Sequence, residues 1–216
     1  MDKDISRLIS KVSLINLNID RIIRIQSFIK GWIVRHNNKK LKDAIDIDII
    51  DTMLEKYNEK NVFNKKINNL LLKKKIRNEN FPSIISENIA KFSLFIKFKI
   101  MGCWAIENGD LILQNKKIEV KGFMSKGPLS FGPKEKWDLL CIVDAVRYTE
   151  KYFVVYLISI PNNDKIWYSI KVNSTETYLD QCLQKRRPRM CFNIIQKHLG
   201  SRCRKIFEGY LNELSK

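Results

Sequence analysis

The chain has 216 residues, 44% of them hydrophobic, enough for one substantial α/β core and a modest appendage but not for two large domains. Lys and Arg number 40 against 23 Asp and Glu, a formal charge of +17 that favours a polyanionic partner, either nucleic acid or an anionic membrane surface. No stretch approaches the length of a transmembrane helix and the opening residues, MDKDISRLISK, lack the apolar core of a signal peptide, so a soluble protein acting inside a cell is expected.

Residues 5–60 contain no proline and a single glycine, Gly31, while Ile22, Ile25, Ile29 and Ile33 recur at helical intervals. This predicts a helical arm over residues 1–60, followed by the main domain over 61–216. Within the arm, residues 25–35, IQSFIKGWIVR, resemble an IQ motif, the basic amphipathic helix held by calmodulin-like partners. Asn38 stands where the motif's closing hydrophobic residue belongs, and an amphipathic helix packed on the main domain or on a second subunit accounts for the same spacing. Asp43, Asp46, Asp48 and Asp51 follow among isoleucines; without the glycine and terminal Glu of a calcium loop they read as a solvated helix face. Residues 61–80 form a basic helix that Phe81-Pro82 interrupts, and a further helix starts at Ser83 and carries Glu87.

The chemistry concentrates in residues 109–123, GDLILQNKKIEVKGF. Two short apolar runs flank a polar turn at 114–117, the pattern of a β-hairpin. With Asn115 and Lys116 as a two-residue loop, Ile112 faces Glu119 and Asp110 faces Lys121, so Asp110, Glu119 and Lys121 share one side. Directly opposed residues lie roughly 5 Å apart and diagonal ones roughly 7–8 Å, within reach of a shared divalent cation. Magnesium, which ordinarily takes one or two protein carboxylates, suits so sparse a donor set. Lys121 would stabilise the phosphorane or orient the attacking water. The alternative is structural: Asp110 opens a strand, and Glu119 and Lys121 form its solvated face.

Beyond the hairpin, the pairs Gly127-Pro128 and Gly132-Pro133 predict a rigid loop whose donors, on Ser125, Lys126, Ser130 and Lys134, suit phosphates or base edges. Trp137 leads into an apolar run and reads as a core anchor. Strands are expected over 139–146, 152–160 and 166–172, then a helix over 176–184. The segment Lys185-Arg186-Arg187-Pro188-Arg189 is too concentrated for an ordinary solvated face; guanidinium forks suit phosphate or guanine, and Gln181 and Gln184 lie near enough to join Arg186, Arg187 and Arg189 on a DNA-reading surface. The five cysteines lack CxxC spacing, which indicates neither a disulfide framework nor a zinc module.

An Asp, a spacer and Glu-Val-Lys on neighbouring strands resemble the PD-(D/E)XK nuclease superfamily. The downstream segments SKGPLSFGPKEKWDLLCIVDA and QKRRPR are similar to parts of small type II restriction endonucleases, so that the likeness spans roughly residues 60–216. Gly109 occupies the place of the proline in the superfamily's name. The resemblance implies an α/β fold with a restriction-endonuclease-like mixed central sheet flanked by helices, here with an N-terminal helical arm. It also implies magnesium-dependent cleavage of double-stranded DNA at a short palindrome, and a supporting metal-site role for Glu87. Cutting both strands needs two active sites, hence a homodimer. A Holliday-junction or DNA-repair nuclease of the same fold remains an alternative, as does a non-catalytic calmodulin-binding adaptor. The setting expected is a bacterial cytoplasm, or a viral protein in a host cell or virion.

Overall fold

A run of six apolar-rich residues, LLCIVD, is buried on both faces, as a strand sandwiched between two layers must be. In the computed structural model, which describes residues 45–215 apart from 71–75, 77–78, 106–108, 126 and 133, this strand stands inside a six-stranded sheet. In chain order the described elements are α1 (Ile47–Leu70), α2 (Ser83–Phe98), β1 (Cys103–Trp104), β2 (Leu111–Leu113), β3 (Lys116–Phe123), β4 (Pro128–Ser130), β5 (Leu139–Asp144), β6 (Tyr152–Ile158), α3 (Tyr178–Leu183), β7 (Arg189–Cys191), α4 (Phe192–Leu199) and β8 (Cys203–Tyr210). The sheet order is β1-β2-β3-β5-β6-β8, with β4 and β7 forming a separate two-stranded sheet. Only β3 and β5 run parallel; the other pairs of the large sheet are antiparallel. The expected mixed α/β architecture is therefore present, while the IQ-like motif and the arm up to residue 44 lie outside the described residues.

Alternation along β5 divides the interior in two. Cys141 and Val143 join Phe153, Val155 and the apolar faces of α1 and α2, including Ile50, Leu54, Tyr57, Ile85, Ile89 and Leu94. Leu140 and Ile142 face the other way, into a cluster with Phe131, Trp137, Trp167, Tyr178 and Ile195. Trp137 is the anchor expected: its ring meets Phe131 and Trp167 edge-on at centroid distances of 5.9 and 5.7 Å. Asp138 beside it fixes the parallel pairing, since its Oδ2 accepts from Lys117 N at 2.8 Å and its own amide donates to the Lys117 carbonyl at 2.8 Å.

Three sequence expectations change. The boundary at residue 60 falls inside α1, whose Ile50, Leu54 and Tyr57 belong to the core of a unit that starts at Ile45. Residues 166–172 do not form a strand. Asp164 Oδ1 accepts from Ile166 N at 2.9 Å and starts a 3-10 turn over Lys165–Ser169, which buries Trp167 completely. The sheet is completed instead by β8, which pairs with β6 around a register shift between Val155 and Tyr156.

Candidate active site

The hairpin of β2 and β3 turns at Gln114 and Asn115, both with positive φ (49° and 64°), one residue earlier than the sequence suggested. Leu113 pairs with Lys116 and Leu111 with Ile118. The register thus slips by two residues from the expected one, and a slip of two preserves the face on which every side chain lies. Continued by one step, the observed pairing sets Asp110 beside Glu119, and the Asp110 amide donates to the Ile118 carbonyl at 2.8 Å.

β2 is too short to cover the rest of β3. The Asp110 carboxylate takes over as partner: its Oδ2 accepts from Val120 N at 2.7 Å. Gly109 makes this possible. Its φ is +78°, and a Cβ there would stand 3.0 Å from the Ile118 carbonyl oxygen. Proline, locked near φ of about −65°, has no access to that backbone, which explains the glycine before the first carboxylate.

Glu119 and Lys121 alternate with the buried Val120 and form an ion pair; their side chains are 13% and 21% exposed. Glu87 reaches the same cleft from α2 and is only 5% exposed. Its arrival depends on Gly122, where the first turn of α2 crosses β3 with no room for a side chain. The cleft has a volume of about 950 Å³ and is lined by Glu87, Asp110, Glu119 and Lys121, together with Ser125, Ser130, Arg187 and Arg189.

The basic segment arrives by way of the small sheet. β4 pairs antiparallel with β7, placing Ser130 opposite Arg189, although 59 positions separate them (189 − 130). Of the other expected DNA contacts, Lys134 is exposed and Lys126 lies outside the described residues. Gln181 is 3% exposed and donates to Glu176 at 3.0 Å, so the structure uses it internally, not on a reading surface. Gln184 and Arg186 also bind Glu176, at 3.1 and 2.9 Å. Hydrogen bonds from Gln181, Asn173 and Gln184 hold the Glu176 carboxyl well below the usual carboxylate range, to about 2. Arg187 is paired with Glu135, whose position in the sequence carries no spacing that points to the cleft.

Electrostatics favours a cation here. Burial, then the charges of Glu119 and Glu87, push the Asp110 carboxyl up to about 7, against the opposing effects of the Val120 amide and Lys121. A buried carboxylate so disfavoured by its neighbours gains from a divalent ion. Asp110 and Glu119 carry carboxylate oxygens, the donor type that magnesium prefers, although no group of three His, Cys, Asp or Glu side chains is gathered as a metal site among the described residues. His198, the histidine near Cys191 and Cys203, lies 3.3 Å from Ser169 Oγ through its Nε2. Among the described residues no helix is long and apolar enough to cross a membrane.

A family model described as Bsp6I restriction endonuclease matches residues 45–200. No curated protein and no solved structure matches the chain.

Proposed function

The chain belongs to the Bsp6I restriction endonuclease family, type II restriction endonucleases that cleave DNA, and on that premise we propose that Asp110, Glu119 and Lys121 form a magnesium-dependent cleavage centre of the PD-(D/E)XK type. The observation that carries this reading is the convergence of two carboxylates and a lysine, with Glu87 behind them and Arg187 and Arg189 beside them, in one cleft.

Asp110 and Glu119 would hold the magnesium, with Glu87 adding negative charge from α2. When bound, the ion lowers the pKa of a coordinated water and neutralises charge on the phosphate. Lys121 holds a positive charge next to Glu119 and places it where negative charge grows on the phosphoryl oxygens during in-line attack. Arg187 and Arg189 grip backbone phosphates, and hydroxyl donors come from Ser125, in the loop after β3, and from Ser130 at the end of β4. The substrate is double-stranded DNA carrying a short palindrome, bound by a homodimer whose two centres each cut one strand.

The test is cleavage of a sequenced plasmid with magnesium, followed by mapping of the ends, by the wild type and by Asp110→Asn, Glu119→Gln and Lys121→Ala. Each variant should cut at least about a hundredfold more slowly while binding DNA almost as well. Near wild-type cleavage by either carboxylate variant would remove the centre from this position.

A further inference from the structure

Glu135 links the cleavage centre to the basic segment. One of its carboxylate oxygens, Oε1, is paired with Arg187. The other, Oε2, is buried without a hydrogen-bond partner and lies 3.9 Å from Lys121 Nζ, which is itself paired with Glu119. Glu119, Lys121, Glu135 and Arg187 therefore make a chain of alternating charge from the proposed centre to the proposed phosphate grip.

The carboxylate is held from behind. Asn162, 6% exposed, donates through Nδ2 to the backbone carbonyls of both Gly132 and Glu135, and its own amide donates to the Trp137 carbonyl at 3.1 Å. These bonds fix the loop that carries Glu135, whose side chain is 24% exposed, whereas that of Arg187 is 57% exposed and open to exchange partners. A buried carboxylate oxygen without a donor is costly in place, so it calls for one in some state of the molecule.

We infer that Glu135 is a positioning residue that couples phosphate binding to the cleavage centre: it restrains Arg187 in the free protein and holds the Lys121 ammonium once DNA has drawn Arg187 onto a phosphate. The exchange conserves charge. Arg187 trades a carboxylate for a phosphate, and Lys121, whose partner Glu119 is needed as an oxygen donor in the loaded site, gains the carboxylate that Arg187 releases. Cleavage competence then depends on correct engagement of the backbone.

This rests on the cleavage centre proposed above, and the experiment separates the two. DNA affinity without divalent metal and single-turnover cleavage with magnesium are measured on a duplex bearing the mapped site, for wild type, Glu135→Gln, Arg187→Gln, the double variant and Asp110→Asn. Glu135→Gln should bind DNA about threefold or more tighter yet cleave about tenfold or more slowly, and the gain in affinity should vanish in the Arg187→Gln background. Glu135→Asp, which keeps the charge, should recover part of the cleavage rate. If Glu135→Gln lacks either half of that split, or if rate, affinity and melting temperature fall together, the coupling is overturned. Wild-type cleavage by Asp110→Asn would overturn the centre and the coupling with it; an inactive Asp110→Asn beside an unmoved Glu135→Gln would overturn the coupling alone.

Discussion

Gly122 and Ser86 touch where α2 crosses β3: a Cβ built on Gly122 would fall 2.8 Å from the Ser86 Cβ and 3.0 Å from the Phe81 ring. That close crossing brings Glu87, one residue further along α2, to the cleft that holds Asp110 and Glu119. Gly122→Ala should push α2 away, costing about 1–3 kcal/mol of stability. Its melting temperature should fall, and its cleavage should fall further than Glu87→Gln alone produces. Calorimetry and a cleavage time course check this; a variant as stable and active as wild type would mean that the helix has room to move.

The raised Asp110 pKa fixes the sign of a pH effect. Its folded value, about 7, lies above the 3.8 of an ordinary aspartate carboxyl. Between those values the folded protein binds a proton that the unfolded chain has lost, so this group's contribution makes stability fall as pH rises through the window and level off above it. A divalent cation should reverse that loss. The melting temperature gained on adding magnesium should therefore be larger at about pH 8 than at about pH 5, and Asp110→Asn should flatten the difference. Equal gains at both pH values would detach the ion from this carboxylate.

Salt dependence distinguishes the arginines. Arg187 and Arg189 line the cleft, whereas Arg186 is occupied by Glu176 and Gln184. Replacing Arg187 or Arg189 with glutamine should reduce the slope of log affinity against log salt by about one unit each, uniformly across DNA sequences. Arg186→Gln should change it less. A loss of specificity at one base pair, with the slope intact, would instead identify a guanine contact.

Truncation locates the boundary of the folded unit. Removing residues 1–58 takes away Ile50, Leu54 and Tyr57. At about 1.5–3 kcal/mol per buried large side chain, their loss rivals the whole stability of an ordinary domain. That truncation should be insoluble. A chain starting at Ile45 keeps these residues and should stay folded, by circular dichroism and by a cooperative melt. Its mass in solution, compared with that of the full chain, then shows whether the first 44 residues contribute to the proposed dimer.

The grouping proposed as the cleavage centre is legible in the sequence because it is local. Asp110, Glu119 and Lys121 lie within twelve positions, the apolar runs around them have the period of a strand, and the register slips by two residues, an even number, so all three keep their face. Positions 166–172 look like a strand for a similar reason, since apolar residues alternate there, but the alternation does not reveal that Asp164 caps a 3-10 turn and drives Trp167 inward. β8 is not legible in the sequence because only Cys203 and Gly209 in CRKIFEGY are buried, leaving little of the alternating contrast by which a strand is read.

What only the tertiary structure decided is long-range charge placement. Glu135 stands 14 positions after Lys121 (135 − 121) and 52 before Arg187 (187 − 135), and no periodicity relates the three. They meet because β4 pairs with β7 and because Asn162 holds the loop between β4 and β5. The same folding buried Gln181 and tied Arg186 to Glu176, dividing one run of similar cations into those that face the cleft and those used within the protein. Local sequence determines which groups a strand presents, because side-chain direction follows from backbone period. Which charges meet depends on chain crossings, whose contacts lie far apart along the chain.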